Sequence, residues 1–314
     1  MRHSRSAQFE KALQRVETPR PGQRWQDNDA DPNAPAALAA RAEVLRRAWR
    51  ESVTDRVGFL VERCRGRTVL DIGCVAHDAA RMRSPEWLHG RLATVSRRCV
   101  GVDVLEAEVA EMRELGFIAF AHDVSTGLGP VSDEAPFDVI VAGELIEHVE
   151  SIDMLFEVAV EALGPTGELI ITTPNPWAPD RVRSAQRGHT WENVDHVLFA
   201  SPSGIAELAE RHGLVLTEAF TTSLFTEQSL REHLKAIRRR VRGRQWETVG
   251  FSTVGPRRLK KVGTHPVRRR MYSLLFPDRR FVGETFVYVV RRLVAESGTP
   301  QSSLRYRPRR LTSW

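Results

Sequence analysis

The chain is short of several things. Three cysteines in 314 residues, Cys64, Cys74 and Cys99, are too few for a disulfide scaffold, and their spacing matches no zinc pattern. No apolar run approaches the roughly 18–20 residues of a membrane-spanning helix. The opening MRHSRSAQFEKALQRVE has no apolar core behind its basic residues and does not read as a secretory signal. No internal repeat stands out. These absences suggest a cytoplasmic setting. What is present is a globular balance, 41% hydrophobic and 27% charged, with length for one large domain or two ordinary ones.

Charge is unevenly placed. Residues 1–222 hold 24 basic and 34 acidic residues, a net −10, whereas residues 223–282 hold 16 basic and 4 acidic, a net +12. An acidic body thus carries a basic C-terminal third. Such asymmetry points to a polyanionic partner or surface and says nothing of the fold.

Residues 1–66 read as an N-terminal extension, with a loose, proline-interrupted start over 1–36. From Ala37 to Cys64 one apolar stripe recurs at helical spacing: Val44, Leu45, Ala48, Trp49, Val53, Val57, Leu60 and Val61. It predicts a single helix ended by Arg65-Gly66-Arg67. Residues 67–292 read as the main domain. TVLDIG (68–73), CVGVDV (99–104), IAFAHDV (118–124), FDVIVAG (137–143) and GELIITTPN (167–175) are short, Val- and Ile-rich runs. Helical stretches near 105–115 and 149–163 separate some of them. This pattern predicts an α/β fold with a doubly wound parallel sheet. A Pro- and Trp-containing loop follows Asn175. Ser201 then caps a helix with Pro202 in its first turn and Gly213 at its end. Strands are expected at 214–222 and 283–292. Between them lies the basic insertion 223–282, with a helix expected in SLREHLKAIRRRVRG; a flexible basic tail, 293–314, follows.

In an open α/β sheet, ligands sit at the carboxyl ends of the strands. Here those ends carry Asp71 and Gly73, then Asp103, Asp123, Glu144 and Asn175 in turn. Any one carboxylate alone reads best as a loop cap. At five successive strand ends the set favours a nucleoside ligand. Asp103 is placed to accept hydrogen bonds from a ribose diol, and Asp123 from an adenine amino group.

VLDIGC, VGVDV, HDV, FDVIVAGELIEHV and GELIITTPN, in this order and spacing, resemble class I S-adenosylmethionine-dependent methyltransferases over roughly 67–222 and again at 283–292. The resemblance implies a doubly wound, seven-stranded Rossmann-like sheet whose last strand is an antiparallel insert. It also implies S-adenosyl-L-methionine as cofactor. Asp71, Gly73 and Cys74 would flank its methionine portion, Asp103 and Val104 its ribose side, Asp123 and Val124 its adenine, and Glu144 its edge. One departure is clear. The family's loop usually reads Asp-x-Gly-x-Gly-x-Gly, but Val75 and His77 occupy two of the glycine positions. The loop is similar to a subgroup reading Gly-Cys-Val-x-His-Asp, followed by Trp-Leu-His. His77 either helps hold the cofactor's carboxyl end or packs against the next helix. A dehydrogenase is a poorer match, because a pyrophosphate wants those glycines and a helix N-terminus.

Glu144, Glu147 and His148 would share a face if a helix began at Glu144. Two carboxylates and an imidazole suit a divalent cation, with His196 as a fourth candidate. The set resembles two metal-dependent branches, the ubiquinone-pathway O-methyltransferases and the small-RNA 2′-O-methyltransferases; in the latter, magnesium orients the ribose hydroxyls. The same Glu-His pair also occurs without metal, supporting the fold. His148 or His196 then remains as general base for a hydroxyl acceptor. Trp177 and Trp191 are either a sugar-stacking platform or loop anchors. Three readings stay open: O-methylation of a sugar, glycan or secondary metabolite; 2′-O-methylation of RNA ribose; and cofactor binding without catalysis. Through 223–282 the expected partners are an anionic membrane surface, placing the protein at the inner membrane face, or nucleic acid.

Overall fold

The computed structural model describes residues 24–53, 55–75, 79–189, 192–222, 281 and 283–293. The expected insertion helix, the C-terminal tail, His77 and Trp191 lie outside them.

Seven strands form one sheet: β1 (Thr68–Ile72), β2 (Arg98–Asp103), β3 (Ile118–Ala121), β4 (Phe137–Gly143), β5 (Leu163–Pro174), β6 (Leu214–Thr222) and β7 (Thr285–Arg292). Their order is β3-β2-β1-β4-β5-β7-β6. The first five are parallel, and β7 runs antiparallel between β5 and β6. The seven-stranded sheet and its late antiparallel insert are as expected. Helices flank it: α1 (Pro35–Ala48), α2 (Arg56–Cys64), α3 (Ala79–Met82), α4 (Leu88–Val95), α5 (Glu106–Glu114), α6 (Asp153–Ala162), α7 (Pro179–Gln186) and α8 (Pro202–Arg211).

Alternation along each strand sorts side chains into two layers. Leu70 and Ile72 of β1 pack with Leu169 and Ile171 of β5 against Phe156 and Ala159 of α6 and Ile205 and Ala209 of α8. Val69 and Ile170 face the other way, onto Leu60 and Cys64 of α2 and Leu92 of α4. A sheet covered on both faces explains why its strands read as unbroken apolar runs.

The single helix expected over 37–64 is two helices. Between them the chain is extended and lies along the edge strand β6. Arg50 N donates to Ala219 O at 2.9 Å and Val53 N to Thr221 O at 3.1 Å. Exposed edge groups of β6 outcompete helical continuation here, and Asp55 restarts the helix by accepting from Gly58 N at 2.8 Å. The stripe misled because Trp49 and Val53 still face the core from extended backbone. A second difference is α7, inside the stretch expected as loop. The capped helix after Ser201 forms as expected, Gly204 N donating to Ser201 Oγ at 3.1 Å.

Midway along β5 sits a buried carboxylate. Glu168 accepts from Arg63 at 3.1 Å, Arg67 at 2.9 Å and Arg291 at 2.7 Å, and Arg63 also engages Glu218 at 2.6 Å. Buried charge survives only with such compensation. Glu168→Ala, which leaves three guanidinium groups without their shared partner, should lower stability by about 3 kcal/mol in urea unfolding, with Glu168→Gln recovering part of the loss.

Candidate functional site

Gly73 turns the chain off β1. Its φ of +76° is left-handed, and a Cβ there would come within 3.0 Å of Leu145 Cδ1, so only glycine fits comfortably. The loop it opens is tightly held. Gly73 N donates to Val102 O at 2.9 Å, Trp87 Nε1 to Cys74 O at 2.8 Å, and Val75 N to Asp103 Oδ2 at 2.9 Å. Asp103 Oδ1 accepts from Leu105 N at 3.2 Å. The half-buried Asp103 therefore braces the loop while a carboxylate still has lone pairs to offer a diol. Val104 beside it is 61% exposed, an apolar surface at the end of β2.

Asp71 is placed otherwise than expected. It points to the same face as Val69, into the layer beneath α4, where it is buried and its Oδ2 lies 3.0 Å from His89 Nδ1. Strand alternation puts the carboxylate under the sheet rather than at its end. Cys74 is also buried, and burial, reinforced by Asp71, pushes its thiol well above the ordinary range. Asp123 is exposed and accepts from Ser125 N at 2.9 Å. Its bonds to Ser125 hold its carboxyl below the usual value. Val124 beside it is half-buried. Asn175 is buried and fully engaged, donating to Phe281 O and Gly283 O and accepting from Trp177 N. It anchors the turn instead of facing a ligand. Trp177 next to it is 44% exposed.

The carboxyl end of β4 departs from expectation too. Glu144 adopts a left-handed φ of 54°, and Ile146–His148 is one turn of 3-10 helix. Glu144, Glu147 and His148 therefore share no helical face. Glu144 instead lies 3.7 Å from Arg56 Nη1 and is not one of the clustered ligand atoms. Glu147 and His148 are joined by His196. Ligand atoms of these three lie within 4.8 Å of one another, and the two imidazole rings meet edge to face at 4.7 Å. The segment carrying His196 is held by Val197 N, which donates to Glu147 O at 2.8 Å.

Glu147 is 1% exposed. Thr173 Oγ1 donates to its Oε2 at 2.9 Å, and its Oε1 has no hydrogen-bond partner among the described residues. Burial first, and then the neighbouring Glu144 charge, push its carboxyl up to about 8. Each imidazole has a carboxylate behind it. His148 Nδ1 is 3.1 Å from Asp195 Oδ2, and His196 Nδ1 is 3.1 Å from Glu192 Oε1, the latter an ion-pair distance without hydrogen-bond alignment. Arg181 fixes Glu192 through two hydrogen bonds, at 2.8 and 3.0 Å. Thr173, Asp195, Glu192 and Arg56 stand in no motif and escaped sequence reading. The Asp-His pair 195–196 was the one local sign.

A sheet in this order, with one antiparallel strand inserted beside β5 and an acidic residue closing β2, is the fold of class I S-adenosylmethionine-dependent methyltransferases. Residues 41–219, more than half of the chain, match the methyltransferase domain family, and the chain belongs to that family. A Mycolicibacterium smegmatis protein named "Probable S-adenosylmethionine-dependent methyltransferase" is 30% identical over 179 residues, covering 51% of this chain and 65% of that protein. The mouse mitochondrial ubiquinone biosynthesis O-methyltransferase is 33% identical over 89 residues, 25% of this chain and 23% of that enzyme. The chain thus spans under two thirds of each of these relatives. Among solved structures, an S-adenosylmethionine-dependent methyltransferase from Archaeoglobus fulgidus is 15% identical, covers 76% of this chain and 91% of its own, and has a TM-score of 0.43.

The raised Glu147 carboxyl has a consequence for stability. Its folded-state value, about 8, lies above the ordinary 4.5, so the protonated form is favoured in the fold. That contribution is complete below about pH 4.5 and is lost as pH rises through about 8. Thermal unfolding with chelator present should show Glu147→Gln gaining on the wild type between pH 5 and 8. Parallel pH profiles would contradict the assignment.

Proposed function

We propose that the protein transfers a methyl group from S-adenosylmethionine to a hydroxyl oxygen, most naturally one on a sugar or glycan, with a divalent cation at Glu147, His148 and His196. The observation that carries this reading is the cluster of those three side chains at the carboxyl end of the sheet, beside a strand end fit for a nucleoside. Methylation of oxygen needs a group to take the hydroxyl proton; methylation of a free amine does not need such a cluster.

When bound, S-adenosylmethionine supplies an electrophilic methyl on a sulfonium leaving group. Asp103 and the Gly73 turn would hold its nucleoside, with Val104 and Val124 as apolar contacts for the base. The donor set fits a cation on chemical grounds. Glu147 offers an orphaned carboxylate oxygen, and both imidazoles have a carboxylate at Nδ1, the arrangement that orients metal-ligating histidines. A bound divalent cation would lower the pKa of the acceptor hydroxyl. With the cation bound, His148, beside Asp195, and His196, beside the Arg181–Glu192 pair, would hold it and leave the acidified proton to solvent; without it, the same imidazoles are the groups able to receive the proton. Their fixed positions would also align the oxygen with the methyl, which accounts for much of the rate in a displacement of this kind. Trp177, 44% exposed and packed against Phe281 and Phe286, offers part of an aromatic surface for a sugar ring.

Calorimetry should register S-adenosylmethionine binding that weakens at least tenfold in Asp103→Ala, as expected for loss of a charge-assisted pair to a diol. Absence of binding by the wild type would sink the whole reading. Methyl transfer to a hydroxylated acceptor should vanish on chelation and return with magnesium or manganese, and Glu147→Ala should behave as the chelated enzyme does. Turnover indifferent to chelator would remove the cation and leave the histidines as the bases.

A further inference from the structure

Residues 192–200 bring His196 to the site, and their outward side is apolar. From His196 onward burial alternates. His196 is half-buried, Leu198 packs against the core and Ala200 is buried, whereas Val197 and Phe199 between them are exposed. Val194, in the turn just before, is fully exposed. The stretch is pinned: Val197 N donates to Glu147 O at 2.8 Å, and Ala200 O accepts from Tyr288 Oη at 3.0 Å. A period of two in a chain so held fixes which side chains face water. A single exposed apolar residue needs no explanation, but three in the stretch Val194–Phe199, beside a site, do.

The acids of the same stretch are engaged. Glu192 accepts two hydrogen bonds from Arg181, and Asp195 lies 3.1 Å from His148 Nδ1. Glu150, two residues past His148, is exposed and adds one negative charge. Arg181 also ties α7 to this stretch, and past α7 the side chains of Arg187 and His189 are exposed.

Topology brings a larger charge to this rim. β5 ends at Pro174, which pairs with Thr285 of β7, and Thr285 pairs with Thr222 of β6. The chain therefore leaves the described fold at Thr222 and returns by Phe281 at the carboxyl edge of the sheet, the edge that carries Glu147 and His196. Asn175 fastens the return by donating to Phe281 O at 3.0 Å and to Gly283 O at 2.7 Å. The sequence between those points holds 16 basic and 4 acidic residues, a net +12, and that charge is tethered where the apolar side chains are exposed. Apolar residues beside an excess of cations fit an anionic bilayer, whose acyl chains take the first and whose headgroups take the second. Nucleic acid would satisfy the cations but leave two valines in water, because bases are held by aromatic stacking.

We propose that Val194, Val197 and Phe199 form a docking face for an anionic lipid surface, with the carboxyl rim of the sheet turned toward the bilayer. The docking itself stands apart from the methyltransferase reading. Its consequence rests on that reading: an acceptor carried on the bilayer would meet His148 and His196 without leaving the surface.

Co-sedimentation of the full chain with vesicles tests this. Wild type should pellet with vesicles of phosphatidylcholine mixed with phosphatidylglycerol, and stay in the supernatant with phosphatidylcholine alone. Binding should weaken as salt rises. Val194→Ser combined with Val197→Ser removes apolar surface from exposed positions only, so thermal unfolding should show the fold intact while binding to the mixed vesicles falls roughly tenfold. Val194→Leu, which keeps the apolar surface, should bind as wild type does. Equal binding by wild type and the folded double variant overturns the proposal, because charge alone would then account for it. Absence of wild-type binding to the mixed vesicles overturns it too, and retention on a single-stranded RNA oligomer in that case gives the rim to nucleic acid. Calorimetry with S-adenosylmethionine on the same samples keeps the two readings apart: vesicle binding without cofactor binding removes the methyltransferase reading and leaves the docking face standing.

Discussion

Five parallel strands buried on both faces leave almost nowhere for a polar side chain except the strand ends, and most of the molecule follows from that constraint. Within the strands the polar exceptions are paired: Asp71 with His89, and Glu168 with three arginines. Other polar side chains collect at the strand ends, Asp138 with Arg97 at the amino side and Asp103, Asp123, Glu144, Glu147 and Thr173 at the carboxyl rim, within a few residues of where their strands stop. Desolvation penalties sort side chains this way in any such sheet. Chemistry accumulates at the rim because the interior excludes it.

The rim divides into two unlike halves. Around β1 and β2 it is made of backbone turns, one bracing carboxylate and exposed valine, a surface without a titratable cluster among the described residues. Around β4 and β5 it is made of titratable groups packed tightly enough to perturb one another. Glu147 is raised because water is excluded from it and, second, because the Glu144 charge is near. A carboxylate so placed is stable only when it gains a proton or a positively charged neighbour, and Arg56 is turned toward Glu144 rather than toward it. The unmet demand at Glu147 Oε1 is the strongest local reason to read that half as a working site.

Much of this was legible in the sequence, for identifiable reasons. The five parallel strands follow from short Val-Ile runs ending in polar residues, a local pattern, whereas the antiparallel insert was implied by the family resemblance alone. The Glu147–His148 pair and His196 were legible as residue types, although their meeting across nearly fifty positions is a product of the fold. What failed, failed physically. The stripe from Ala37 to Cys64 is periodic whether or not the chain stays helical, because an extended stretch can bury Trp49 against one core layer and Val53 against the other. Asp71 sits at a motif position, yet the two-residue strand period turns its carboxylate away from the ligand face. Glu144 was grouped with Glu147 by helical spacing, and a left-handed backbone at one residue undid the spacing. Pairings such as Arg63 with Glu168 leave no sequence trace at all.

α2 shows how the N-terminal extension is tied to both ends of the sheet at once. Arg56 at its start reaches Thr172 near the carboxyl end of β5, and Arg63 near its finish reaches Glu168 closer to the amino end. Seven residues of helix rise about 10.5 Å, while four residues of strand span about 13 Å. Two long arginine side chains cover the difference. The helix therefore lies antiparallel to β5 and is fixed to it at two points by charge, with Leu60 and Cys64 packed between sheet and helix. The Arg63 contact places the helix axis and belongs to stability. The Arg56 contact uses that fixed axis to hold a guanidinium at the rim, so whatever precision the rim achieves depends on a buried carboxylate midway along the strand.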